Sequence, residues 1–289
     1  MWTAWILSSA VLLAFYDLAK KASVRDNAVL PVLLISSVAG TVVYLTVLGA
    51  AGGMGAAMSV SLRDYVLIVA KSVIVGTSWV LTYCALRTLP ITIATPIRAS
   101  APALVFIVAF FVYGERPTAA QGLGMFLVFA GYMVFGWAGK HEGIDFLRSK
   151  AIYFALGGMC MSAVSSLWDK FILQKCAIPV ETVQFHFQIG LVVMYASLFA
   201  IHRMARFTRD RFEWRWSIPL TGIILVGADW LYFHGLAIPG VSISAGSLLR
   251  RFSVVITFVL GALYFREHNL RRKGIALAAI LTGVVLLCI

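Results

Sequence analysis

The sequence predicts an all-α integral membrane protein of ten transmembrane helices, built as an inverted five-plus-five repeat. Three observations carry this. The 289 residues are 61% hydrophobic and only 12% charged, whereas soluble domains carry roughly 25% charged residues. That balance excludes a soluble enzyme or a disordered tail. Ten mostly apolar stretches are each close to the ~20 residues that a spanning helix needs: 2–22, 29–50, 64–86, 91–113, 118–138, 150–173, 180–202, 217–238, 241–264 and 270–288. Finally, distinctive residues recur 152 positions apart, among them Arg98 and Arg250.

The breaks between stretches have physical causes. Pro31, Pro90, Pro179 and Pro239 sit near stretch starts or turns, where a missing N–H costs little. The cluster Arg203–Arg215 cannot stay in hydrocarbon and ends the seventh stretch. The ~10-residue alternating strands of a membrane barrel are absent. The first stretch is too long for a cleaved signal peptide and lacks a basic start and a small-residue cleavage site. Cys84, Cys160, Cys176 and Cys288 show no metal-ligand spacing and read as small packing residues. No cofactor is expected.

The repeat extends beyond the arginines. Glu115 and Glu267, Tyr16-Asp17 and Trp168-Asp169, and Gly122 and Gly274 also lie 152 apart; Gly76-Thr77-Ser78-Trp79 matches Gly227-Ala228-Asp229-Trp230 at 151. The expected halves are residues 1–140 and 141–289, five spans each. An odd number of spans forces the second half to insert upside down, and inverted repeats of this kind hold a site near the midplane between their halves.

With Gly114-Glu115-Arg116-Pro117 after the fourth stretch and Arg266-Glu267-His268 after the ninth, the chain resembles the drug/metabolite transporter superfamily, EamA type, over nearly its whole length. Arg266 stands where that family usually has Gly. The resemblance implies transport of a small organic molecule by alternating access, with the bilayer as surroundings. It does not name the substrate, because the superfamily handles amino acids, nucleotide sugars, sugar phosphates, amines and lipids. The basic residues of stretches four and nine also resemble those of the sugar-phosphate translocator branch, where cations grip the phosphate. Carried over, Arg98, Arg250 and Arg251 form an anion clamp. That branch has Lys at some of these places, which leaves phosphate and carboxylate both open. The expected location is a bacterial cytoplasmic (inner) membrane, as a monomer or homodimer.

The net charge of +12 would suggest nucleic acid in a soluble protein. Here 16 of the 24 basic residues fall in the loops after odd-numbered stretches, counting Lys20, Lys21 and Lys273 with those loops, and four on the other side. The surplus is therefore a topology signal, and no nucleic-acid partner is expected. The run 203–215, with Trp214 and Trp216 beside it, reads as an interfacial loop. By the charge rule the odd loops are cytoplasmic and both termini face outward, opposite to the usual habit of the family.

The remaining four cations, Lys71, Arg98, Arg250 and Arg251, lie within stretches, where a charge is costly and by default marks function. With Asp229 they form the expected substrate site, wide, wet and positive. Arg98 has a structural alternative: bonding the carbonyls of a broken helix. Arg250 or Arg251 has another, as counter-ion to Asp229 or Asp169. Lys71 could instead snorkel to the interface. Tyr16, Trp79, Tyr83, Trp168 and Trp230 are candidate aromatic walls, with ordinary packing as the alternative. Asp17 and Asp169, with Lys20, Lys21 and Lys170, are candidate gate ion pairs. His186 and His234 are candidate coupling residues. Gly122, Gly124, Gly131, Gly274 and Gly283 suit close packing of stretches five and ten. No phosphate loop, metal cluster or nucleophile–base pair stands out, so an enzyme is not expected. The leading reading is transport of a small organic anion. Export of amino acids or amines, translocation of a lipid-phosphate or lipid-linked headgroup, and a structural subunit are the alternatives.

Overall fold

In hydrocarbon every backbone N–H and C=O must be paired within the chain, and apolar stretches of this length answer by becoming helices. The computed structural model describes residues 2–101, 103–104, 118–140, 148–204, 211–236 and 249–287. Its helices are α1 (Trp2–Val24), α2 (Val29–Ala50), the short α3 (Met54–Met58), α4 (Leu62–Thr88), α5 (Ile91–Ala99), α6 (Ala119–Lys140), α7 (Lys150–Lys170), α8 (Val180–Met204), α9 (Ser217–Leu236), α10 (Phe252–Tyr264) and α11 (Leu270–Leu287). A single π-helical turn, Phe171–Lys175, extends α7. Among the described residues six helices (α1, α2, α4, α6, α7 and α8) are long and apolar enough to cross a membrane, and α9 and α10 contribute shorter apolar segments. Three basic residues, Arg271, Arg272 and Lys273, occupy the first turn of α11.

The bundle is apolar on its outside as well as in most of its core, and its buried charges and hydroxyls are set among those apolar residues. Val42, Met133, Leu263 and many other large apolar side chains are exposed, while Ser9, Asp17, Lys20, Ser23 and Asn27 are buried. This is the arrangement expected where lipid, not water, is the outer solvent. The closest packing joins α6 to α11, α1 to α9 and α4 to α7; α2 lies against both α8 and α9, and α8 also against α4. In the α6–α11 pair Gly124 and Gly283 meet backbone to backbone: a Cβ built on Gly124 would stand 2.7 Å from the Gly283 carbonyl oxygen. Gly131 meets Ala276 and Ile280. Gly122 and Gly274 face open space, so these two do not serve that contact.

Stretches four and nine are interrupted, where continuous spans were expected. Pro96 has no N–H to give, and α5 stops at Ala99 with a tight turn in which the Ser100 N–H bonds the Ile97 carbonyl. On the other side Arg251 breaks the helix, and α10 starts at Phe252. The Gly-Glu-Arg-Pro segment 114–117, Pro239 and Cys288 lie outside the described residues.

Among the described residues, the loops after stretches one, three, seven and nine are tied to one another in pairs. The Lys21 ammonium donates to the carbonyls of Leu86 and Leu89, 2.6 and 2.7 Å away, and so closes the end of α4. Asn27 accepts from the Glu213 N–H and donates to the Glu213 carbonyl. Arg215 donates to the carbonyls of Ala22 and Arg25. Glu267, after α10, accepts from the N–H groups of Ile91 and Thr92 and from the Thr92 hydroxyl, capping α5. Lys20, Lys21 and Lys273, which the charge count places in loops, are instead buried at helix ends.

Candidate functional site

The two helix breaks meet. A guanidinium nitrogen of Arg251 donates to the Ala99 carbonyl, an acceptor that the end of α5 leaves without an intrahelical donor. Around this crossing lies an open cavity of about 350 Å³. Its lining includes Tyr16 from α1, Trp79 from α4, Arg98 from α5, Asp229 from α9, and Arg250 and Arg251 before α10. Both halves of the chain therefore contribute walls, as do Ser162 of α7 and Ser253 of α10, small hydroxyls that sequence reasoning did not single out. The one sequence signal for Ser253 is its place three positions beyond Arg250, one helical turn along.

Each cation has a defined setting. Arg98 donates to Asp17 at 2.5 Å, and Lys20 donates to the other oxygen of the same carboxylate at 2.7 Å. Asp17 is fully buried. It is the shared counter-ion of two cations, and the Lys20 ammonium also lies 4.5 Å from the Tyr16 ring centre. Arg250 donates to Asp229 at 2.5 Å and stacks over Tyr232 at 4.3 Å. Among the described residues its buried Nε finds no acceptor. The cluster thus holds Lys20, Arg98, Arg250 and Arg251 against two carboxylates, Asp17 and Asp229.

Other expected site residues are placed elsewhere. Lys71 donates to Asp169 at 2.5 Å and lies 4.9 Å from the Phe187 ring; it neither lines the cavity nor snorkels away. Trp168 donates to the Leu67 carbonyl, a packing role between α7 and α4. The side chain of Lys170 lies outside the described residues. Tyr83 lines a small polar chamber beside the cavity, shared with Tyr16, Trp79 and Gln188. Trp230 turns to a separate apolar cleft behind Asp229 and packs on His234, ring centres 4.0 Å apart. His186 sits edge-on against Tyr65 and Phe185. Neither histidine reaches the cavity. Among the described residues no cluster of His, Cys, Asp and Glu is suited to a metal.

A helical protein with a charged cavity among apolar helices is an integral, multi-pass membrane protein. Residues 1–137, the first half up to α6, match the EamA-like transporter family. No curated protein matches the chain in sequence. A solved structure titled "Crystal structure of protein" shares the fold, with a TM-score of 0.66 and 17% identity over 99% of this chain and 96% of that one.

Proposed function

We propose that this chain is a secondary transporter of a small organic anion bearing phosphate or carboxylate, working by alternating access in a bacterial cytoplasmic membrane. The observation that carries the reading is the convergence of Arg98, Arg250 and Arg251 on one cavity between the halves. A guanidinium offers a planar pair of donors that matches a carboxylate or phosphate edge. The match to a transporter family over 1–137 supports the class. The packing supports the five-plus-five reading. Exchanging each stretch with the one five later turns the α1–α9 contact into α7–α4, α2–α9 into α8–α4, and α1–α10 into α7–α5. It leaves α6–α11, α2–α8 and α5–α10 unchanged, and all of these contacts are present. Rocking of one half on the other then exposes the cavity to either side in turn. One chain supplies the walls described, so a monomer suffices.

In this mechanism the guest competes with Asp229 for Arg250 and completes the donors at the crossing. Binding offsets part of the cost of closing lipid-depth helices around these arginines, a cost of roughly 2.5–3.5 kcal/mol for each mid-span arginine on insertion scales. The test is counterflow into proteoliposomes loaded with sugar phosphates, nucleotide sugars, carboxylates, amino acids or amines. Transport of anions, lost in Arg250→Gln and Arg251→Gln proteins that still insert, is the expected result. Unimpaired transport by both variants, or transport of amines alone, overturns it. A second reading, export of an amphiphilic amine, draws on the apolar cleft that shares Asp229 with the cavity. It requires Asp229 for binding, whereas the anion reading does not.

A further inference from the structure

We infer that the groove between α2, α4 and α8 is a resident site for an anionic phospholipid. The groove encloses about 1080 Å³, three times the central cavity, and is separate from it. Its walls are aliphatic, with Leu34, Ile35, Val80 and Leu198 among them, and suit an acyl chain. Its mouth carries Arg87 at the end of α4 and His202 and Arg203 at the end of α8. A trough that is apolar along its length and cationic at one end complements a phosphodiester headgroup with its tail.

Two further observations sharpen this. The mouth lies at the level of the membrane surface: Phe212 lines it, and Trp214 and Trp216, next along the chain, pair edge to face and are exposed, as interfacial tryptophans are. The groove also has a counterpart within the molecule. Exchanging each stretch with the one five later turns the helices α2, α4 and α8 into α8, α9 and α2, and between those three lies a second cleft of about 570 Å³, lined by Leu48, Val180, Gln184, Trp230 and His234 among others. That counterpart is narrower and carries Glu181 and Asp229. The basic mouth is therefore not a requirement of the fold; it is particular to one side, the side of the basic loops. Cytoplasmic leaflets are both the basic-loop side and rich in anionic lipid.

The experiment follows the unfolding midpoint of the full chain in detergent with added phosphatidylglycerol, phosphatidylcholine, or glycerol 3-phosphate without acyl chains. Phosphatidylglycerol should raise the midpoint by at least about 2 °C more than phosphatidylcholine, and glycerol 3-phosphate should not raise it. The difference should vanish in R87Q/R203Q. It should vanish as well in Leu34→Trp, which fills the trough and keeps the charges, and persist in Glu181→Gln in the counterpart cleft. Equal shifts from both lipids overturn the site. So does a difference that survives R87Q/R203Q or Leu34→Trp, or a shift from glycerol 3-phosphate equal to that from the lipid.

Discussion

Asp17 shows how one carboxylate holds a charged interior together. It takes bonds from Arg98 and Lys20 and is itself removed from solvent. Deleting one partner of a buried pair strands the other charge, at about 3–5 kcal/mol. Asp17→Asn should therefore lower the unfolding midpoint sharply, while Lys71→Gln, at the half-exposed pair with Asp169, should cost much less; thermal unfolding in detergent compares the two. Asp229 behaves differently in the anion reading, because the guest displaces it. Asp229→Asn should leave the affinity for an anionic substrate equal or higher, measured by isothermal titration with the substrate that counterflow identifies. Loss of anion binding in that variant would contradict the competition between Asp229 and the guest.

Among the elements, α5 depends on groups from the other half of the chain at both of its ends. Glu267 caps its start, and Arg251 satisfies the Ala99 carbonyl at its finish. Charge-assisted bonds at a helix start are worth about 1–2 kcal/mol. Glu267→Gln should lower stability by that order while leaving α10 intact, read as a drop in unfolding midpoint and faster hydrogen exchange at residues 91–95. In the α6–α11 pair, Gly124→Ala or Gly283→Ala drives a methyl into a facing carbonyl, which lies 2.7 or 2.5 Å from the new carbon. Overpacking of this kind costs about 1–3 kcal/mol. Gly122→Ala and Gly274→Ala, which meet open space, should be nearly neutral, and the four variants are separated in one thermal-unfolding series.

For the whole molecule, the described parts of the loops after stretches one, three, seven and nine are joined to one another. Asn27, Arg25, Glu213, Arg215, Lys21 and Glu267 make the contacts that tie them. The charge rule predicts that these loops are cytoplasmic. A cysteine at Trp216 should then react with a membrane-permeant label and not with an impermeant one in intact cells. The helices were legible in the sequence because a ~20-residue apolar run has few alternatives in lipid. Arg98, Arg250, Arg251, Asp229, Tyr16 and Trp79 line one cavity, and buried charge and repeated position are what mark them in the sequence. Tyr83 reached only the neighbouring chamber, and Trp168, Trp230, His186 and His234 pack away from the cavity. For aromatic and imidazole rings no sequence signal separates a wall from packing, since both need the same apolar face.

By itself the sequence determined that this chain lives in a membrane, where its apolar runs lie, and that most of its positive charge sits in the loops of one side while a few cations lie within the runs. Each follows from local composition and from spacing along the chain. Only the tertiary structure decided which charges meet. Asp17 serves Arg98 and Lys20, Asp229 serves Arg250, and Lys71 serves Asp169. Pairing depends on which helix faces are brought within 3 Å or so of one another. Except for Asp17 and Lys20, one turn apart on α1, that is a property of packing across 21 to 98 residues of separation, which no linear pattern contains.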